Sequence, residues 1–367
     1  YYVTPPYNLL PRRGSASFLV IVSIMTLIWR FLYIRIFNTP QFMRRVLLVG
    51  GGNNGQLLLK TINELETKPF FLVGVIDDDH RKLGTFIEGF QVIGTSGQLL
   101  KLIEENQVSD LVVAISGEIQ PTMFEALIAA QDVGVEIIPM PTAYEDILNR
   151  VPVNALQADW MLRTFVDQAR VSGFYLMAKR LMDILVSIIG LLGVAIVLPF
   201  VTIATIIDDG WPIFYTQIRS GCNGKQYRIF KFRTMRRDAE ADGQPQWAAE
   251  KDTRATRIGR FLRNSHIDEL PQFLNVLLGD MSIVGPRAER PELVELFRKH
   301  LPLYRSRLLV KPGITGWAQI NFGYASTIEE TRIKLEYDLY YIKHRNIGMD
   351  LLILLLTPAD MLGFRGR

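Results

Sequence analysis

Two long apolar stretches, residues 15–29 and 181–207, bracket a region where short apolar runs alternate with segments of helical periodicity. The first is uncharged and lies between Arg12-Arg13 and Arg30, with Arg35 beyond. Crossing a bilayer takes about 20 apolar residues, so this stretch reaches the required length when its flanking arginines snorkel to the headgroups. A transmembrane helix is therefore expected within residues 1–41. No small-x-small cleavage site follows Trp29, which separates the stretch from a secretory leader. The chain opens on Tyr1 rather than Met, and the expectation is that further membrane helices precede it.

From Arg44 onward the apolar runs 46–49, 71–76, 111–115 and 135–138 alternate with helical stretches, the pattern of βαβ units around a parallel sheet. Gly50-Gly51-Gly52-Asn53-Asn54-Gly55 follows the first strand and opens a helix, and Asp77 closes the second strand where a ribose-binding acid is expected. Gly50, Gly52, Gly55 and Asp77 are thus candidate nucleotide contacts. The same glycines also serve close strand-to-helix packing. The region, taken as 42–150, lacks room for a full second mononucleotide half and carries no Tyr-x-x-x-Lys pair for hydride chemistry. A nucleotide site and a non-catalytic scaffold both remain open.

Residues 151–178 read as a connector, and 179–209 as a second membrane element whose long apolar stretch carries Asp183 as its one charge. Pro199, inside that stretch, removes a helical hydrogen bond and clashes with the preceding turn, so a break is expected there. Basic residues stand on both sides: Arg170, Lys179 and Arg180 before, Arg219, Lys225, Arg228 and Lys231 after. The positive-inside rule then favours a helix that enters, breaks and returns over one that crosses. Asp183 reads as an interfacial charge pair with Lys179 and Arg180.

Composition agrees with membrane association: 49% of residues are hydrophobic and mean hydropathy is +0.15. The net charge of +4 suits anionic partners such as acidic lipid and nucleotide phosphates, and no nucleic-acid-binding motif is visible. One cysteine, Cys222, excludes an intramolecular disulfide and a Cys-rich zinc site.

The chemistry concentrates at Asp268-Glu269, an acidic pair preceded by Arg254, Arg257, Arg260 and Arg263 and followed by Gly285-Pro286-Arg287. Carboxylates suited to a divalent cation among guanidiniums suited to phosphate are what phosphoryl transfer requires. In Ile229-Phe230-Lys231-Phe232-Arg233 the cations alternate with apolar residues, so Lys231 and Arg233 share a face of an extended segment and can meet one phosphate group. A basic strand lying against anionic lipid explains that alternation equally well. His266 is a weak candidate base, because the incoming nucleophiles are already anionic.

From about Lys179 to its end the chain resembles the bacterial sugar transferase family, the monotopic polyprenyl-phosphate glycosyl-1-phosphate transferases. Five ordered motifs carry the likeness: Lys179-Arg180-x-x-Asp183, Lys231-Phe232-Arg233-Thr234-Met235, Asp268-Glu269-Leu270-Pro271-Gln272, Gly279-Asp280-Met281-Ser282-Ile283-Val284-Gly285-Pro286-Arg287, and Lys311-Pro312-Gly313-Ile314-Thr315-Gly316. The part before Lys179 looks like the amino-terminal extension of the family's long members. The resemblance implies an α/β chain: a membrane helix, a Rossmann-like parallel-sheet domain, and a mostly helical catalytic domain, 210–367, anchored by a Pro-broken re-entrant membrane helix and carrying interfacial helices at its end.

It further implies that Asp268 attacks a UDP-sugar, releasing UMP, and passes the sugar phosphate to undecaprenyl phosphate, priming exopolysaccharide or O-antigen synthesis. Glu269 would hold Mg2+, and Lys231, Arg263 and Arg287 would contact phosphate. Location at the cytoplasmic face of the bacterial inner membrane, contact with membrane lipid and no nucleic-acid partner follow from the same likeness; a homo-oligomer is left open. Leu198 departs from the serine often found before the helix-breaking proline, and Ala288 from a second proline after Gly-Pro-Arg. Two rival readings put the function in the parallel-sheet region, as a nucleotide-sensing membrane scaffold or as a nucleotide-sugar oxidoreductase.

Overall fold

Alternating apolar runs become a mixed α/β architecture in a computed structural model that describes residues 12–37, 43–156, 172–236, 239, 254–323 and 325–361. The chain divides into two compact units, Tyr1–Ala143 and Tyr144–Arg367. The first opens with α1 (Arg12–Phe37), whose apolar side chains from Phe18 to Tyr33 are exposed on every face. A helix that is apolar all round needs an apolar surrounding, and Gly14–Tyr33 is long and apolar enough to cross a bilayer.

The sheet of this unit runs β3-β4-β2-β1-β5-β6. Its strands β1 (Arg45–Val49), β2 (Phe71–Ile76), β5 (Asp110–Val113) and β6 (Glu136–Pro139) fall on the four apolar runs. They pair in parallel, as does β4 (Phe90–Gly94) with β2. Helices α2 (Asn53–Glu64), α3 (Leu99–Asn106) and α4 (Pro121–Asp132) provide the crossovers. Leu47, Val49, Ile76 and Leu111 form the core with Leu99, Met123 and Leu127. The strand order reverses direction around β1, so the glycine loop after β1 lies at the switch point of a doubly wound sheet. The periodicity did not reveal the hairpin of β3 (Phe86–Ile87) and β4. Two residues are too few to alternate, and the hairpin is made by Glu88 (φ 47°) and Gly89 (φ 85°), both in the positive-φ turn that tight hairpins favour.

Helix α5 (Met140–Leu148) leads into the second unit. There follow α6 (Gly173–Asp209), the antiparallel pair β7 (Phe214–Ser220) and β8 (Gln226–Phe232), α7 (Arg257–Asn264), a single 3-10 turn Ile267–Glu269 and α8 (Gln272–Leu278). Strand β9 (Ser282–Val284), α9 (Pro291–His300), β10 (Gly313–Thr315), α10 (Trp317–Asn321), α11 (Ile328–His344) and α12 (Ile347–Met361) complete it. Val276, Met281, Ile283, Leu335, Tyr341 and Ile353 lie at the centre of its core.

Helix α6 is one 37-residue helix that continues through Pro199 without the break expected there, with Leu198 and Val201 on either side of the proline packed into the same core. At about 1.5 Å per residue it is ~55 Å long, well beyond the ~30 Å hydrocarbon layer. It packs against α7, α8, β9 and α12. Gly190 lies against the ring of Phe273, and Val194, Val197, Leu198 and Val201 pack with Phe232 and Leu262. Leu181, Leu185, Ile189, Leu192, Ile196, Phe200, Ile203 and Ile207 repeat every three or four residues on the opposite face and are exposed. One stripe of the helix is thus protein core, and the other is apolar surface. Asp183 does not form the charge pair expected with Lys179 and Arg180. It is buried and accepts from Ser282 Oγ and Ile283 N of β9, both at 2.9 Å. Lys179 turns instead to Asp350 (3.0 Å) and Val284 O (3.0 Å), while Arg180 donates to Val276 O and Leu277 O at the end of α8.

Strands β9 and β10 approach so closely that side chains are excluded between them. A Cβ on Gly313 would stand 2.1 Å from Gly285 N, and one on Gly316 2.2 Å from Gly285 O. Gly313→Ala is therefore expected to destabilise the second unit by about 1–3 kcal/mol, the usual cost of overpacking. The check is a lowered midpoint in thermal unfolding of the purified chain.

Candidate active site

Three chain segments meet at the acidic pair. Helix α7 starts at Thr256, whose side chain accepts from Gly259 N (2.9 Å), and it lies tight against the backbone after β8: a Cβ on Gly259 would fall 2.0 Å from Thr234 O. His266 ends this helix in the left-handed conformation (φ 55°), which His adopts more readily than bulkier residues, and turns the chain into the 3-10 turn bearing Asp268 and Glu269. Lys231 arrives from the end of β8, and Arg287 from the Gly285-Pro286 turn after β9.

Glu269 Oε1 accepts from Lys231 Nζ at 2.6 Å and from Arg287 Nη2 at 2.8 Å. Burial opposes its ionisation, but the cations of Arg287 and Lys231 outweigh that and hold this carboxyl far below the usual range. Asp268, 8% exposed, accepts no hydrogen bond among the described residues. Burial pushes its carboxyl above the ordinary value and the Glu269 charge adds to the rise, against the pull of Lys231, Arg287 and Arg263. Two neighbouring carboxylates thus have opposed acidities, one held firmly as the anion and one less acidic than an ordinary aspartate.

Lys231, Asp268, Glu269 and Arg287 are brought together, and Arg263 acts on Asp268 through its charge. Arg233 is placed elsewhere. Its side chain is buried and donates to Pro212 O (2.6 Å), to Gly210 O and to the Asp209 carboxylate. It fastens the end of α6 to the end of β8, and these partners replace the phosphate expected from the alternating pattern. The pattern failed because β8 ends at Phe232, so Arg233 lies past the extended segment. His266 is exposed.

Residues that sequence reasoning passed over support the three carriers. Asn275 is fully buried against β8. Buried Arg307 donates through Nη2 to Arg287 O (3.0 Å) and through Nη1 to Tyr304 Oη (2.6 Å), with Asp338 as its ion partner at 2.8 Å. Buried polar side chains inside apolar periods were the available signal.

In the first unit Gly50 adopts φ 102°, and a Cβ on Gly55 would stand 2.1 Å from Gly50 O, so both glycines serve close packing. Gly52 faces open space. Asp77 accepts from Gly51 N (2.8 Å), Asp79 N (2.9 Å) and Lys82 Nζ (2.7 Å), so the acid expected to meet ribose is already engaged by protein donors.

Among the described residues no group of three His, Cys, Asp or Glu side chains could hold a metal. The two carboxylates offer a hard cation a partial oxygen set. That suits Mg2+, which commonly takes one or two carboxylates and completes its shell with water and phosphate.

Comparison with known proteins gives the class. The model of the bacterial sugar transferase family matches residues 174–363, and that of a CoA-binding domain matches residues 14–141. The chain belongs to the bacterial sugar transferase family. It is 41% identical over 197 residues to the UDP-N-acetylgalactosamine-undecaprenyl-phosphate N-acetylgalactosaminephosphotransferase of Aeromonas hydrophila, covering 53% of this chain and 46% of that one. With the undecaprenyl-phosphate glucose phosphotransferase of Komagataeibacter xylinus it shares 30% identity over 96% of this chain and 66% of that one. The UDP-glucose:undecaprenyl-phosphate glucose-1-phosphate transferase of Klebsiella pneumoniae is 31% identical over 86% and 67%. The chain therefore spans about half to two thirds of the length of these curated relatives.

The opposed acidities of the pair carry a sign for stability. Asp268 is raised, so its ionisation at neutral pH opposes folding; Glu269 is lowered, so it stabilises above its ordinary value of 4.5 and loses that contribution as pH falls. At pH 7 Asp268→Asn should melt at or above the temperature of the unaltered chain, and Glu269→Gln below it. Differential scanning fluorimetry of the three proteins makes the comparison.

Proposed function

We propose that this chain transfers a sugar 1-phosphate from a UDP-sugar to undecaprenyl phosphate by way of a phosphosugar-aspartyl intermediate. The observation that carries the reading is the cluster in which Lys231 and Arg287 converge on Glu269 beside buried Asp268. The names of the relatives, all phosphotransferases acting on undecaprenyl phosphate, point to the same substrates.

In the first half-reaction an oxygen of Asp268 forms a bond to the sugar-linked phosphorus, the bond to the bridging oxygen breaks, and UMP leaves with that electron pair. In the second half-reaction a phosphate oxygen of the lipid attacks the same phosphorus, the acyl-phosphate bond breaks and the Asp268 carboxylate is restored. Lys231, Arg287 and Arg263 neutralise the charge on the transferring group, the main electrostatic demand of phosphoryl transfer. Glu269 and the diphosphate would hold Mg2+, which supplies further charge neutralisation when bound.

The exposed apolar stripe of α6 supports seating in a membrane. Both ends of α6 are tied to the same unit, through Lys179, Arg180 and Asp183 at one end and Asp208 and Asp209 at the other. A helix packed along one face and held at both ends by one unit fits a seat in one leaflet better than a crossing. The basic residues flanking it favour the cytoplasmic leaflet.

The test is Asp268→Asn in membranes supplied with UDP-sugar, undecaprenyl phosphate and Mg2+. UMP release should fall by about three orders of magnitude or more, as for loss of a nucleophile in other enzymes. Rapid quenching of the unaltered enzyme before lipid is added should yield a peptide containing Asp268 with the mass of the sugar phosphate. Its absence during full turnover removes the covalent route. Attack requires the ionised form of Asp268 and its acidity is weakened, so kcat/KM should fall on the acid side with a midpoint above the ordinary aspartate value of 3.8, read from a pH-rate profile.

A further inference from the structure

We propose that Asn275 is a positioning residue for this transfer, holding the strand that carries Lys231 in register with the turn that carries Asp268 and Glu269. The inference rests on the transferase reading above. Asn275 is 0% exposed, and both ends of its amide are used: Oδ1 accepts from Phe230 N at 3.0 Å and Nδ2 donates to Arg228 O at 2.8 Å. Arg228 and Phe230 stand opposite Ile218 and Thr216 in the ladder with β7. In an antiparallel pair, alternate residues turn their N–H and C=O away from the partner strand, so these groups form the outer edge of β8.

The amide of Asn275 therefore does for β8 what a third strand would do. A donor and an acceptor in one plane match that edge, whereas Asp lacks the donor and Leu lacks both.

The main chain at the same position also joins the turn that leads toward Arg287. Its main-chain carbonyl accepts from Gly279 N (3.1 Å), Asp280 N (3.0 Å) and Met281 N (3.3 Å), the turn by which the chain leaves α8 and enters β9. One buried residue is thus bonded to the strand before Lys231, belongs to the helix after Asp268-Glu269, and closes the turn toward Arg287. Register matters because a slip of one residue moves a strand by about 3.3 Å and turns its side chains to the other face. The 2.6 Å contact between Lys231 and Glu269 does not survive that.

The experiment uses the full chain in nanodiscs, comparing the unaltered protein, Asn275→Ala, Lys231→Met and the double variant. Asn275→Ala should lose about a hundredfold in kcat/KM, the scale of an ångström-level misplacement. In the Lys231→Met background the same change should cost less than threefold, because its effect runs through Lys231. Equal losses in both backgrounds mean a merely structural residue and overturn the proposal.

If Asn275→Ala fails to melt cooperatively, amide exchange in the unaltered chain decides. The Phe230 amide must exchange slowly, and exchange at the rate of a free strand edge overturns the proposal. Absence of turnover in the unaltered chain would refute the transferase reading instead.

Discussion

One carboxylate, Glu269, is bound at once by Lys231 and Arg287, and the second unit is arranged around that contact. Two cations forced together without a counter-ion would repel, and a buried charge left without a partner costs several kcal/mol. The triad therefore fixes the end of β8, the 3-10 turn and the loop after β9 relative to one another. Other buried residues serve those three carriers. Asn275 holds β8 to α8, Arg307 holds the backbone of Arg287, and Gly285, Gly313 and Gly316 let the β9 and β10 backbones close on each other. Asp268 stands buried beside this locked triad but outside its hydrogen bonds.

The apolar helix α6 is wired into the same framework. Lys179 reaches the carbonyl of Val284 one residue before the Gly285 turn, Asp183 grips β9, and Arg180 caps the end of α8. Charged residues near the start of a helix with an exposed apolar face thereby become connections to the backbone that presents Arg287. In the proposed reaction a lipid phosphate and a soluble nucleotide sugar must reach one phosphorus. With α6 seated in a membrane as proposed, a site whose carriers are bolted to it would be held at the boundary where both substrates are available.

The parallel-sheet unit illustrates how one motif supports two physical readings. Gly50 and Gly55 are explained by a positive φ and a close backbone approach, and Asp77 is satisfied by Gly51, Asp79 and Lys82. At Gly50 and Gly55 the pattern follows from strand-to-helix packing at the switch point, while Gly52 faces open space. The pattern's agreement with a nucleotide-binding fingerprint reflects geometry that both uses share.

Local periodicity determined much of this protein. Four strands, the apolar stretches of α1 and α6, and the grouping of acids with arginines at Asp268-Glu269 follow from patterns within a few residues, because backbone geometry repeats every two or 3.6 residues. Partner choice did not follow. Lys231 and Arg233 are two residues apart in one pattern, yet one meets Glu269 and the other Asp209, since β8 ends between them. Asp183 passed over its sequence neighbours for β9, and the amide of Asn275 found a strand edge 45 residues away. Such pairings depend on which distant segments burial brings together, and a buried polar group takes whichever partner the fold places within 3 Å. Only the tertiary structure decides that.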